Sequence, residues 1–172
     1  MSSNLRPQQA VYTGSFDPVT LGHLHIIERS ARLYDDLIIG VGVNAAKQSL
    51  FSTDERIDLL RSVTRHLSNV TVRAFDGLAV DFVREIGAKV MVRGIRPLTD
   101  IAGEFTMMMA NRQLDPDIET VFLMADEKFA HVSSSLIKQI AALGNGRALE
   151  KFVPIETIPA LMEKMRAVGT VL

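Results

Sequence analysis

The chain has 172 residues, 47% of them hydrophobic and 23% charged, with a formal net charge of −1 and no cysteine. That length suits one domain, 1–172, with a core that needs no covalent staple, and the missing cysteines remove disulfides, thiol nucleophiles and cysteine-based metal centres. Near-neutrality argues against the basic field of a nucleic-acid binder, and no apolar run reaches the ~18–20 residues of a membrane span.

Residues 1–8 form a polar leader without the apolar stretch of a signal peptide, so a disordered terminus and a cytoplasmic protein are expected. A first strand is expected at Gln9–Thr13, then a helix whose stripe is Leu24, Ile27, Ala31 and Tyr34. Leu37–Val43 is continuously apolar rather than alternating, which predicts a parallel strand buried on both faces. Ser52-Thr-Asp-Glu55 fits a capping box opening a helix that carries Ile57, Leu60, Thr64 and Leu67 on one face. A strand at Val70–Phe75, a helix over Leu78–Ile86 ended by Gly87 and a strand at Lys89–Arg93 follow. A helix over Asp100–Leu114 stops before Pro116, and Ile118–Met124 is the last strand. A fifth helix breaks at Gly144-Asn145-Gly146. The C-terminal segment 145–172 is helical, with an amphipathic helix over Pro159–Val168. The alternation predicts an α/β, Rossmann-like, doubly wound open parallel sheet of about five strands with helices on both faces.

In such a sheet, ligands bind beyond the carboxyl ends of the strands. After the first strand comes Gly14-Ser15-Phe16-Asp17-Pro18-Val19-Thr20-Leu21-Gly22-His23, and after the second comes Lys47. The fourth ends in Arg93-Gly94-Ile95-Arg96, and the fifth leads to Ser133-Ser134-Ser135. A neutral protein that gathers cations and helix-start donors on one rim is built to hold phosphates. Thr20 and His23, three apart at a helix start, share a face, where the helix dipole would lower the histidine pKa and leave it a neutral donor. Arg93, ending an apolar strand, must reach water, an anion or a carboxylate, with Asp100 and Glu104 as candidate partners. Ser133–Ser135 can cap the following helix, bind phosphate, or do both. Asp17 reads as an organiser of its loop, and Met107–Met109 as core or subunit contact.

Thr20-Leu21-Gly22-His23 resembles the (T/H)xGH signature of the nucleotidyltransferase superfamily. Together with Lys47, Arg93–Arg96 and Val132-Ser-Ser-Ser-Leu-Ile-Lys138, it resembles the bacterial phosphopantetheine adenylyltransferases from about Ala10 to the terminal helix. The resemblance implies transfer of an adenylyl group from ATP to the 4′-phosphate of 4′-phosphopantetheine. In that pattern His23 stabilises the transition state, while Lys47 and Arg93 hold the acceptor phosphate. Ser15 touches both substrates, Phe16 touches ATP, and Ala79 adds a pantetheine contact. Gly94, Ile95, Arg96 and Glu104 contact ATP, and Phe129, Ala130, His131, Val132, Ser133, Ser134 and Ser135 wrap its phosphates. Family members commonly carry an aromatic-Glu-Tyr-Glu run where this chain has Ile101-Ala102-Gly103-Glu104. The resemblance further implies Mg²⁺ delivered with ATP, coenzyme A as a feedback inhibitor, and a homo-oligomer, a hexamer built as a dimer of trimers. Alternatives are a sister enzyme acting on nicotinamide mononucleotide, or a non-catalytic nucleotide-binding module.

Two other signals carry little. The glycines of Gly40-Val-Gly-Val-Asn-Ala45 lie inside a strand rather than at a strand–helix turn, and His23 and His25 sit on different helix faces, unsuited to zinc.

Overall fold

A computed structural model describes residues 8–43, 48–96, 100–143 and 146–169. Five strands, β1 (Gln9–Gly14), β2 (Asp36–Val43), β3 (Val70–Asp76), β4 (Val90–Ile95) and β5 (Glu119–Met124), form one sheet of order β3-β2-β1-β4-β5. Every pairing is parallel. Helices α1 (Leu21–Leu33), α2 (Thr53–Thr64), α3 (Ala79–Ile86) and α4 (Ile101–Leu114) follow the first four strands. After β5 come α5 (Ser134–Leu143), α6 (Gly146–Leu149) and α7 (Ile158–Gly169).

The pleat divides β1 between two cores. Ala10 and Tyr12 face one side with Ile27, Leu37, Ile39 and Leu60, under α1 and α2. Val11 faces the other with Ile38, Met91 and the α3 residues Val80, Phe82 and Val83. A third cluster, including Phe51, Ile137, Leu149 and Leu161, packs the C-terminal helices. Burial on both faces explains why β2 is apolar without alternation. Gly40 makes room for the Phe82 ring, which a Cβ there would meet at 2.6 Å and which stacks on Phe75.

Several boundaries differ from expectation. β4 continues through Gly94 and Ile95 because β5 offers Leu123 and Met124 as partners. In α1, Ser30 is buried beside Ile26 and Ile27, with its hydroxyl donating to the Ile26 carbonyl at 2.8 Å. The Ser52–Glu55 capping box forms as read, and Gly87 ends α3 at φ 80°. Gln8, assigned to the leader, is tied to Asp35, whose carboxylate takes its N–H at 2.8 Å. α4 differs most: its only buried residue is Asn111, and Phe105, Met107 and Met109 are 48%, 54% and 62% exposed. The methionine run is therefore not core. No described helix is long and apolar enough to cross a membrane.

Candidate active site

The strand order reverses at β1, and the crevice beyond the ends of β1 and β4 is where a doubly wound sheet takes ligands. A cavity of about 310 Å³ opens there, between the β1 exit, the start of α1, the end of β4, α4 and the start of α5. Ser15, Phe16, His23, Arg93, Gly94, Ile95, Arg96, Glu104, Phe129 and Val132 to Ser135 all line it. Ala130 and His131 do not, because the chain turns outward after Phe129 and leaves His131 exposed, edge-on to Phe152. Ala79 opens α3 and packs against the second core cluster. Lys47 lies outside the described residues.

His23 is locked by the helix start that carries it. Thr20 is the N-cap of α1, and its hydroxyl accepts the His23 backbone N–H at 3.1 Å. In return, His23 Nδ1 accepts the Thr20 backbone N–H at 3.1 Å, closing a capping box with an imidazole in place of the usual carboxylate. An Nδ1 that accepts is unprotonated, so the ring's proton sits on Nε2. Burial first, then the charges of Arg96 and Arg93, hold the pKa down to about 4. His23 is therefore a neutral Nε2–H donor at pH 7. The Phe16 ring meets it edge-on at 5.1 Å, from a backbone with φ 48°, a conformation that an aromatic residue rarely adopts.

The two arginines are both paired. Arg93 grips Glu104 through two bonds of 2.6 and 2.8 Å and donates to the Thr13 carbonyl at 2.6 Å. Arg96 grips Asp100 at 2.6 and 2.7 Å and donates to the Val132 carbonyl at 3.2 Å. The carboxylate partner weighed for Arg93 is thus Glu104, and Glu104, expected to contact ATP, holds that arginine in this structure. Guanidinium groups drawn into a half-buried crevice need counter-charges, and the first turns of α4 supply them.

At α5, Ser133 is the cap, accepting the Leu136 N–H at 3.1 Å. Ser134 donates to the Pro18 carbonyl at 3.0 Å, and exposed Ser135 lines the cavity. The amides of the first helical turn, without carbonyl partners inside the helix, remain suited to an anion. Asp17 organises its loop as read. It is buried, accepts the Leu50 and Phe51 amides at 2.9 Å each, and pairs with Lys138. Burial alone would raise its pKa, but Lys138 and the two amides outweigh that and hold the carboxyl below its usual value.

Tyr12, Arg56 and the partner of Lys138 have no signal in the sequence. Tyr12 lines the cavity, with burial pushing its phenol pKa up. Lys138 was visible in the SSSxxK run, but not its partner 121 residues away. Arg56 reads as a surface residue, yet it is 3% exposed and donates to the Ser15 carbonyl at 2.8 Å.

Residues 11–140 match the cytidylyltransferase-like family. A phosphopantetheine adenylyltransferase from Rhodopirellula baltica is 72% identical over 159 residues, spanning 92% of this chain and 89% of its own length. One from Clostridium botulinum is 46% identical over 157 residues, 91% of this chain and 98% of its own. A solved chain from Vibrio parahaemolyticus, described as a candidate nicotinate-nucleotide adenylyltransferase, shares the fold at a TM-score of 0.65 and 17% identity, covering 92% of this chain and 94% of its own. With the (T/H)xGH turn, the paired arginines and the serine-capped helix all meeting at one crevice, the chain belongs to the phosphopantetheine adenylyltransferases, within the cytidylyltransferase-like nucleotidyltransferases.

Proposed function

We propose that this protein transfers the adenylyl group of ATP to the 4′-phosphate of 4′-phosphopantetheine, giving dephospho-coenzyme A and pyrophosphate. The observation that carries the reading is His23, a neutral imidazole held as an Nε2 donor by Thr20, facing one cavity with Arg93, Arg96 and the start of α5. An acceptor phosphate oxygen bonds to the α-phosphorus as the bond to the bridging oxygen breaks, and that electron pair leaves with pyrophosphate. The nucleophile is already an anion, so no protein base is required. Catalysis reduces to holding two polyanions in line and stabilising charge as it moves.

In this reading, Lys47 and Arg93 hold the acceptor phosphate, with Ser15 and Ala79 further along the acceptor. Arg96 and Ser133–Ser135 take the pyrophosphate end of ATP, and His23 donates to the α-phosphate oxygens. Mg²⁺ bound to ATP would offset charge on its phosphates, held by the nucleotide rather than by side chains. Among the described residues, no group of three or more acidic or imidazole side chains could hold a metal. Coenzyme A, which contains the same pantetheine arm, competes at this site, and a cytoplasmic setting goes with ATP as donor.

The apolar surface of α4, with Phe105, Met107 and Met109 exposed beside an edge strand, supports self-association into the hexamer that the family resemblance implies. Light scattering that finds a monomer at micromolar concentration would remove that part of the proposal. The reaction itself is tested by pyrophosphate release from ATP with 4′-phosphopantetheine, compared with nicotinamide mononucleotide as acceptor. Release only with the mononucleotide, or ATP binding with no release, would overturn it.

A further inference from the structure

One charged group close to this cavity has no counter-charge among the described residues. Arg56, in the second turn of α2, is 3% exposed. Its Nε donates to the Ser52 carbonyl at 3.3 Å and one terminal nitrogen to Thr53 Oγ1 at 3.0 Å. The other terminal nitrogen donates to the carbonyls of Ser15 at 2.8 Å and Gly42 at 3.0 Å. Every acceptor is neutral. Among the described residues Arg56 makes no ion pair, because the acidic groups nearest in sequence or loop are engaged elsewhere: Glu55 with Lys164, Asp17 with Lys138. Arg93 and Arg96, although less buried, each have a bidentate carboxylate. Arg56 also lies towards the N-terminal end of its helix, where the dipole disfavours a cation. Stability alone would favour an apolar residue of similar volume here.

The three nitrogens of Arg56 explain why a guanidinium is there, since two hold the start of α2 while the third reaches the strands. It ties the exit of β1 to the end of β2 and takes the Ser15 carbonyl from outside the cavity, which Arg56 itself does not line. The Ser15–Phe16 peptide is trans, so the Phe16 N–H points opposite to that carbonyl, away from Arg56. The same peptide leads into Phe16 at φ 48°, a strained backbone that persists only where its surroundings hold it, and the Phe16 ring is the edge contact of His23.

We propose that Arg56 is a positioning residue for phosphate binding. Its terminal nitrogen fixes the Ser15–Phe16 peptide with the N–H turned away from α2 and into the phosphate site, and its unbalanced charge is offset by the polyanion bound there. This rests on the reading that the cavity takes ATP and pyrophosphate.

The test uses the full chain as wild type, Arg56→Met and Arg56→Lys. Pyrophosphate affinity is measured by calorimetry, thermal stability by unfolding with and without saturating pyrophosphate, and kcat and KM by pyrophosphate release. Arg56→Met removes the charge and all four hydrogen bonds while filling the volume. It should stay folded but bind pyrophosphate at least about tenfold more weakly, as expected for a lost charge-assisted hydrogen bond. Its stabilisation by pyrophosphate should shrink. Arg56→Lys keeps the charge but has one nitrogen in place of three, so it cannot reach Ser15 and Gly42 while also holding Ser52 and Thr53; it should bind better than the methionine variant, with the ATP KM still raised several-fold. A purely structural arginine predicts lower thermal stability with unchanged pyrophosphate affinity in the folded protein, and that result would overturn the proposal. If Arg56→Met fails to fold, Arg56→Lys decides, and wild-type affinity and ATP KM in that variant would overturn it. Wild-type protein that binds no pyrophosphate would overturn both this proposal and the reading of the cavity, whereas wild-type binding with unaffected variants would overturn this proposal alone.

Discussion

His23 joins two functions in one ring, and substitutions of different reach should separate them. Its Nδ1 accepts the Thr20 N–H at 3.1 Å, a helix-capping role, which leaves Nε2–H as the ring's donor for the cavity that His23 lines. Alanine removes both, leaving the Thr20 amide without its acceptor at a cost of about 1 kcal/mol in stability. It should also lower kcat by roughly 10²–10³, or about 2.7–4 kcal/mol, the usual cost of one preorganised donor. Asparagine places Oδ1 where Nδ1 stands, so the cap survives, but its amide nitrogen falls short of the Nε2 position. Stability should be retained and kcat should fall nearly as far as in alanine. Glutamine can reach back to the N-cap amide, as in an ordinary capping box, and still present a donor, so it should retain part of both. The assay is pyrophosphate release together with urea unfolding of each variant. Near wild-type kcat in His23→Asn would refute the Nε2 donor, and unchanged stability in His23→Ala would refute the cap. The ring also has a pH signature, because its folded pKa of about 4 lies below the ordinary value of 6.5. The folded state thus binds fewer protons than the unfolded chain between those values. Stability from this group is complete above pH 6.5 and is lost as pH falls from 6.5 towards 4, by at most about 3 kcal/mol. His23→Gln should flatten that acid limb, and imidazole nitrogen shifts should show the Nε2–H form down to pH 6. A ring that titrates near pH 6.5 in the free protein would contradict its assigned environment.

Glu104→Gln should cost about 1–3 kcal/mol by weakening the bidentate hold on half-buried Arg93, and should enlarge the thermal stabilisation given by inorganic phosphate. No change in either midpoint would show that the pair contributes nothing. Asp17→Ala strips the Leu50 and Phe51 amides of their acceptor and leaves Lys138 unpaired. A loss of about 2–4 kcal/mol in urea unfolding is expected, and an unmoved midpoint would exclude Asp17 as the loop's anchor. Gly40→Ala puts a Cβ 2.6 Å from the Phe82 ring and should destabilise by about 1–3 kcal/mol, with Phe82→Leu in the same chain recovering part of the loss. A single variant as stable as wild type would show that the ring moves aside freely.

Where physics is local, the sequence alone was enough. The doubly buried run Leu37–Val43 announced a parallel strand because a sheet covered on both faces has no polar side to alternate with. Ser52 and Glu55 announced a helix start because their three-residue spacing brings each side chain to the other's amide. The turn from Gly14 to His23 marked a candidate site through its own residue types, and β1 delivers that turn to the crevice.

Counter-charges and faces were decided by tertiary structure. Arg93 finds Glu104 only because α4 packs back beside β4, and Lys138 finds Asp17 across 121 residues. The neutral state of His23 owes most to burial and then to two arginines from β4 and its exit, rather than to the helix dipole that its own segment suggested. Arg56 carries a spacing ordinary for a solvated helix face, and only the docking of α2 against the ends of β1 and β2 buries it. Nor did the apolar composition of α4 tell core from surface. Hydrophobic spacing reports that a face will be covered, whereas what covers it, and which charge meets which, depends on long-range packing that no local window contains.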